Sequence, residues 1–281
     1  MRKFLFTLAA GAGLALLPAT AAAQNQASNA PKIYPVPRMP DGKPDLNGVY
    51  QAGSTRRGTW EEANTEGQVG NGEVLNPPAA PPRARTRGPA RESAPYQPWA
   101  AKKVLESFNR RAIDDPQAAC LPAGVPRSTS VGLFPMQIVQ TPQNIVILYE
   151  YMNTHRVIPM TTRHPDDLEP TFMGDSIGHW EGDTLVVDVT AFNDKTWLIG
   201  AGTFHSDALH VVERYKMTDR DRIEYEATME DPKVLTKPWI YRTTLMRREG
   251  TRLREYECLE DNQDAAHYQQ LLKDESVFRR Q

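Results

Sequence analysis

The densest group of chemically capable residues is the hexapeptide His205-Ser206-Asp207-Ala208-Leu209-His210. Imidazole and carboxylate groups this close in sequence could bind a metal ion, or a histidine oriented by a carboxylate could transfer protons. Side chains alternate along a strand, so His205 and Asp207 would share one face and His210 the other. A common site therefore requires a turn or bulge near Ser206. The alternative is that these are polar residues of a loop at one mouth of the fold.

Glu213 is a second candidate because it lies on an apolar strand face. The alternation of residues 209–216 groups it with Leu209, Val211 and Tyr215. Burial raises the pKa of a carboxyl group towards the range used in general acid–base catalysis. The alternative is a structural ion pair with Arg156 or Arg242. The predicted catalytic residues are therefore His205, Asp207, His210 and Glu213, and the candidate metal ligands are the first three.

Two apolar strands each carry one acid, Glu150 in 145–152 and Asp188 in 184–192. If both acids line the same interior as Glu213, the carboxylates would form a cluster that separates pKa values. Alternatively they face solvent or pair with basic neighbours. Aromatic residues nearby could form the walls of a ligand site or belong to the core. The predicted ligand-binding residues are Glu150, His179, Asp188, Tyr149, Tyr225 and Trp197.

Two further histidines are candidate site residues, but each also has a purely structural explanation. His164 opens the sequence His164-Pro165-Asp166-Asp167, which could contribute to a site but is also typical of a turn. His179, before Trp180, could equally be a packed strand residue. No phosphate loop, dinucleotide fingerprint or nucleophile elbow is visible in the sequence, which disfavours those cofactor classes.

The elements that must position these residues are β-hairpins. Four pairs of runs rich in β-branched and aromatic residues are separated by short turns, and they cover 135–151, 176–189, 209–229 and 239–258. We expect a mainly β fold, an antiparallel meander that closes into a calycin-like barrel, because closure removes unpaired strand edges. Small closed barrels commonly hold one small ligand.

The segments around the meander differ in composition. Residues 24–96 are rich in Pro, Gly and Arg and predict loop, with one early strand at 46–50. The spacing of Trp99, Val104, Leu105 and Phe108 predicts a helix over 98–113. A last helix is expected from about Asp264 to Lys273; it would pack through Tyr268, Leu271 and Leu272. The barrel domain is assigned to 97–281.

The N-terminus and the cysteines predict export. Residues 1–23 combine a basic start, an apolar stretch shorter than the roughly 20 residues of a membrane span, and small residues at 21–23, as in a cleaved signal peptide. An even pair, Cys120 and Cys258, predicts a disulfide in an oxidising compartment. We therefore expect a periplasmic or extracellular protein with no membrane span after cleavage. A net charge of −2 disfavours a nucleic-acid partner.

Several segments carry a family resemblance. HPDDLEPTFMGDSIGHWEGDTLVVDVTAFNDKTWL (164–198) and HSDALHVVERY (205–215) resemble a family of exported, functionally uncharacterised bacterial proteins. This resemblance implies one exported domain and no particular activity. Gly48-Val49-Tyr50, with Arg252 or Arg254, also resembles the calycins, or lipocalin-like barrels, which have Gly-x-Trp near the start and a basic residue near the end. This sequence has Tyr in place of Trp, and the comparison implies a barrel only.

Three functions fit these observations. The first is an exported barrel that binds a small molecule, with a hydrophobic or aromatic ligand. The second is a periplasmic lyase, isomerase or hydrolase that uses histidine and carboxylate acid–base chemistry, with or without a metal ion. The third is an envelope protein that acts by contact with another protein. No organic cofactor is evident in the sequence.

Overall fold

The computed structural model describes residues 34–52, 94–130, 134–200 and 202–258. The expected signal peptide (1–23), most of the Pro-rich segment and the expected last helix (264–273) lie outside these residues. All described residues belong to one compact unit, which begins at Tyr34.

Within the described residues, nine strands form one antiparallel sheet that closes almost completely into a barrel, which confirms the mainly β prediction. The order across the sheet is β4-β3-β2-β1-β9-β8-β7-β6-β5. The edge strands β4 and β5 meet in parallel through a bridge between Met160 and Gly178. The strands are β1 (Gly48–Ala52), β2 (Met136–Gln140), β3 (Asn144–Tyr149), β4 (His155–Pro159), β5 (Asp175–Glu181), β6 (Thr184–Thr190), β7 (His210–Asp219), β8 (Arg222–Glu230) and β9 (Trp239–Arg247).

Side chains alternate between the two faces of each strand, and those of the inner face fill the barrel interior. The face of β7 that contains Glu213 is buried, as predicted, and so is the face of β8 that contains Tyr225. Large side chains from several strands occupy this space, and the aromatic ones among them that are almost wholly inaccessible to solvent include Tyr50, Tyr215, Tyr225 and Trp239. The described part of the interior is therefore a packed core.

The fourth expected hairpin does not form. β9 ends at Arg247, and residues 251–257 after it are not in a strand. The edge of β9 instead pairs with β1, where Tyr50 lies opposite Arg247 and Ala52 opposite Leu245. A return strand would need the position that β1 occupies, and β1 brings the fully buried Tyr50 into the core. The early strand is thus part of the barrel wall.

Tyr50 and Arg247 close one end of the barrel. The Arg247 guanidinium lies 4.9 Å from the centre of the Tyr50 ring and donates hydrogen bonds to the Tyr50 hydroxyl and to the carbonyl oxygen of Asn47. Residue 48 has a φ of +148°, which residues with a side chain rarely adopt, and a Cβ there would displace the Arg247 guanidinium, so this position favours glycine. Arg252 and Arg254, which the calycin comparison singles out, lie beyond β9.

The opposite end of the barrel carries the helices. They are α1 (Pro98–Asn109), α2 (Arg111–Asp114) and α3 (Arg127–Ser130), with short 3-10 helices at Pro116–Ala119 and Tyr151–Asn153. The predicted helix over 98–113 is therefore interrupted at Arg110, which leaves the helical conformation. Trp99, predicted to be buried, is 55% exposed. The buried residues of α1 are Ala100, Val104 and Phe108.

The predicted disulfide is present. Cys120 and Cys258 are bonded, with their Cα atoms 5.8 Å apart, and the bond joins positions 138 residues apart in sequence. Within the described residues, no helix has both the length and the apolar character needed to cross a membrane.

Candidate functional site

The structure separates the histidines of the hexapeptide. His205 lies in the loop before β7 and is buried against the Phe192 ring. Its Nδ1 lies 2.9 Å from the carbonyl oxygen of Ser206 and must donate to it, while its Nε2 accepts from the Thr196 hydroxyl at 2.7 Å. Burial lowers the pKa of His205. A neutral imidazole with both nitrogens occupied holds the loop together, so His205 is a structural residue in this arrangement.

Asp207 faces solvent and pairs with Lys233. The acid that organises this loop is Asp231, which sequence reasoning missed. Its carboxylate is buried and accepts from the Ser206 backbone amide at 2.6 Å and from the Ser206 hydroxyl at 2.8 Å. The turn near Ser206 therefore exists, but it does not bring His205, Asp207 and His210 into one site.

Glu213 is fully buried in the centre of the barrel, where its partner is Arg156, one of the two arginines proposed from sequence. Arg156 Nη2 donates to Glu213 Oε2 at 2.6 Å, and the hydroxyls of Tyr215 and Tyr225 donate to Oε1 at 2.9 and 2.8 Å. Burial opposes the charge on Arg156, but the carboxylate of Glu213 outweighs it and raises the arginine pKa. Both oxygens of Glu213 are occupied and out of reach of a substrate.

Tyr149, Tyr225 and Trp197 are also buried. Tyr149 extends the interior network, because its hydroxyl lies 2.9 Å from the Thr129 hydroxyl and accepts a long hydrogen bond from Arg156. The Trp197 ring lies beside the Arg127 guanidinium, 5.8 Å from the ring centre.

Glu150 and His179 lie outside the interior. Glu150 follows β3 and accepts a hydrogen bond from the backbone amide of Arg254 at 2.8 Å. His179 lies on the outer face of β5, half exposed, near Glu181. The predicted interior cluster of Glu150, Asp188 and Glu213 therefore does not form, because Asp188 points outwards and Glu150 lies beyond the strand.

A different cluster forms on the outer wall of the barrel. Asp175 on β5, Asp188 on β6 and His210 on β7 all project outwards, opposite to the core faces of their strands. The connection from β4 to β5, residues 160–174, brings His164 onto them. We call these four residues the outer-wall cluster.

The outer-wall cluster is centred on Asp188. Its Oδ1 lies 2.9 Å from His164 Nε2, and its Oδ2 lies 2.8 Å from His210 Nε2. The other nitrogen of His164, Nδ1, lies 2.5 Å from Asp175 Oδ1. Both nitrogens of His164 thus face carboxylate oxygens, and only an imidazolium can donate to both. The geometry therefore favours a charged His164 between two aspartates.

The electrostatics agree with this protonation state. Burial opposes protonation of His164, but its hydrogen bonds to Asp175 and Asp188 outweigh burial and raise its pKa. Burial likewise opposes ionisation of Asp188, but hydrogen bonds from His210 and His164 outweigh it and lower the Asp188 pKa. Asp188 is therefore a carboxylate near neutral pH.

The two histidines of the cluster differ in solvent exposure. The His164 side chain is 18% exposed, whereas that of His210 is 40% exposed. Asp188 holds Nε2 of His210, and Nδ1 of that ring has no hydrogen-bond partner among the residues described. Neither in this cluster nor anywhere else in the described ranges are three His, Cys, Asp or Glu side chains arranged to hold a metal ion.

Sequence reasoning singled out three members of this cluster but placed them in different sites. Asp188 was assigned to the interior, although Leu185, Val187 and Val189 define the core face of β6 and place Asp188 on the other face. The alternation of side chains along β6 could therefore have placed Asp188 on the outer face from sequence alone. Asp175 was missed, because its role depends on the path of residues 160–174, which has no periodic pattern. No family model, curated protein or solved structure matches this chain.

Proposed function

We propose that this protein is an exported enzyme that transfers protons to or from a small polar molecule at the outer-wall cluster. His210 is the acid–base residue, and Asp188 orients it. The observation that carries the proposal is the single carboxylate of Asp188 shared between His164 and the exposed His210.

The Asp188–His210 pair has the arrangement that acid–base catalysis needs. A carboxylate that accepts from one imidazole nitrogen fixes the tautomer and leaves the lone pair of the other nitrogen available. Here Asp188 accepts from Nε2–H, so Nδ1 takes the proton from a bound substrate and later returns it. The carboxylate also stabilises the imidazolium that forms in between.

His164 and Asp175 support this pair. The charged His164 ring fixes the second oxygen of Asp188, which limits rotation of the carboxylate and keeps Oδ2 on His210. Because His164 also belongs to residues 160–174, the same contact attaches that connection to the barrel wall. His164 is therefore a positioning residue.

Binding of a small molecule inside the barrel is less well supported. Large side chains occupy the described interior, and the Arg156–Glu213 pair fills its polar centre. We therefore assign the small-molecule partner to the outer wall. Export is the accompanying proposal, and the Cys120–Cys258 disulfide supports it because such bonds persist in oxidising compartments.

The test is a screen for turnover of small polar substrates by the purified mature chain. We expect His210→Asn to reduce any activity found by at least about 100-fold, the usual contribution of general acid–base catalysis. His179→Asn is the matched control, since His179 is similarly exposed on the same wall and its ring hydrogen-bonds only to Glu181 among the described residues. Equal activity of wild type and His210→Asn, with both folded, would remove the proposal.

A further inference from the structure

One part of the barrel wall presents apolar side chains to solvent. Of the three large apolar residues exposed in the described ranges, two lie on neighbouring strands: Leu148 of β3, 36% exposed, and Val157 of β4, 51% exposed. The strand register extends this surface, since Val146 lies opposite Val157 on one side and opposite Val139 of β2 on the other. We call these four outward-facing residues the apolar patch.

The apolar patch differs from the wall on the far side of the barrel. There the outward positions of β8 are charged or polar: Arg222, Glu224, Glu226, Thr228 and Glu230. A single exposed apolar side chain is normal, whereas adjacent ones mark a surface that contacts another segment or molecule. The apolar patch therefore calls for a covering element.

The described chain ends beside the apolar patch. After β9 it passes the connection between β3 and β4, where the backbone amide of Arg254 donates to the Glu150 carboxylate at 2.8 Å. The side-chain amide of Asn153 donates to the carbonyl oxygen of Tyr256 at 2.9 Å. Because this connection directly follows β3, the C-terminal segment, residues 259–281, starts next to the exposed side chains.

The other two long segments outside the described residues are attached elsewhere. Residues 1–33 lead to Tyr34, whose ring centre lies 4.1 Å from the Arg220 guanidinium at the turn between β7 and β8. Residues 53–93 leave from β1 beside β9 and return just before Tyr96, which bridges to the segment between β8 and β9. Of the three, only the C-terminal segment starts beside the apolar patch.

The sequence of the C-terminal segment suits this surface. Residues 264–273 have the pattern of a helix with one apolar side, formed by Tyr268, Leu271 and Leu272, and Gln270 lies on the opposite side. A helix of this length is about 15 Å long, and three neighbouring strands span about 10 Å. The preceding residues can extend over as much as about 20 Å from Cys258, which is enough to reach β4.

We propose that residues 264–273 form a helix that docks its apolar side on the apolar patch. The bond from Cys258 to Cys120 fixes the start of the segment, so docking is an intramolecular step at high effective concentration. The docked helix covers a surface through which two copies of the chain would otherwise associate. This inference is independent of the proposed catalytic function, because the apolar patch shares no residue with the outer-wall cluster.

The first test is photocross-linking of the mature chain with p-benzoylphenylalanine in place of Tyr268. Irradiation should join this position to β3 or β4 of the same chain, and mass spectrometry of the peptides identifies the joined residues. The matched control carries the same probe in place of Gln270, on the other side of the helix, and should lose most of this product.

The second test asks whether the apolar patch holds the helix. An isolated helix of ten residues is marginal in water, so undocking exposes its amides to hydrogen exchange. Val157→Glu replaces an apolar contact with a charge and should accelerate exchange in 265–273 about tenfold, as expected for the loss of one partly buried valine. Ile240→Glu, on the outer face of β9, is the matched control and should leave this exchange unchanged.

Four results would overturn the proposal. Cross-links between two chains would show that the apolar patch binds a second copy, and cross-links to another part of the same chain would place the segment elsewhere. Equal product from the two probe positions would exclude a helix with one docked side. Exchange in 265–273 that Val157→Glu does not accelerate would show that the patch does not hold the segment.

Discussion

At the residue scale, the main feature of the core is an ion pair that is fully removed from solvent. Arg156 and Glu213 lie in the barrel centre, and the carboxylate also accepts from two tyrosine hydroxyls. Breaking a buried pair leaves an uncompensated charge, whereas apolar replacement of both partners can be neutral. This asymmetry yields a stability prediction that does not depend on any assumed activity.

We expect Glu213→Leu and Arg156→Met each to lower the free energy of unfolding by about 3–5 kcal/mol. The double variant should lose clearly less than the sum of the two single losses, because it leaves no unpaired charge. Urea denaturation of all four proteins measures the coupling. Additive losses would show that the pair is not energetically coupled.

The alternation of side chains along a strand explains which residue positions could be predicted from sequence. The burial of Glu213 and its pairing with an arginine follow from the alternation of β7, and Arg156 was one of two named partners. The choice between Arg156 and Arg242 depends on which strand faces β7 across the barrel, and no local pattern encodes that. Arg242 instead pairs with Glu226, its cross-strand neighbour.

At the element scale, the connection between β4 and β5 is the unusual part of the fold. It joins two strands that run in the same direction, so residues 160–174 must return along the barrel. Backbone hydrogen bonds between Thr171 and both Ala191 and Asn193 hold its far end. His164 attaches its near end to the wall through Asp175 and Asp188.

This attachment should depend on pH. Because folding raises the pKa of His164, the contact stabilises the protein fully below the unfolded pKa of about 6.5. The contribution is lost as the pH rises through the folded pKa. We expect His164→Leu to lower stability by about 1 kcal/mol at pH 5.5, since charged hydrogen bonds are partly offset by solvent at a partly exposed site.

The measurement is amide hydrogen exchange of the connection in wild type and His164→Leu, compared at the same pH. The variant should exchange faster at pH 5.5, and the difference should shrink as His164 of the wild type deprotonates. His155→Leu, an exposed substitution on β4, is the control. A difference that grows with pH would contradict the assigned charge state.

The hairpins were predictable at this scale, but the pairing of the early strand was not. Three of the four expected hairpins exist because their turns and their alternation are local features. The pairing of β1 with β9 joins residues almost 200 positions apart, and sequence spacing alone does not predict it.

Trp99 shows a second limit of the sequence-based prediction. Helical spacing placed it on the buried face, but it lies in the first turn of α1 and contacts Phe204 from outside.

At the scale of the whole molecule, the disulfide encloses about half of the chain. The bond closes a loop of about 140 residues, for which the chain-entropy model gives a stabilisation of about 5 kcal/mol. We expect the double variant Cys120→Ser and Cys258→Ser to lose up to this amount, with the same barrel signature in circular dichroism. Urea denaturation without reductant measures the loss, and equal midpoints would exclude a stabilising role.

Strands β2 to β9 all lie between the two bonded cysteines. The polypeptide from Cys120 to Cys258 is therefore a covalent ring, from which only the segments before and after it can be released by one cut. A single protease nick at any loop inside the ring leaves both fragments attached to each other. The protein should consequently survive such damage as one particle, with the nick visible on a gel only after reduction.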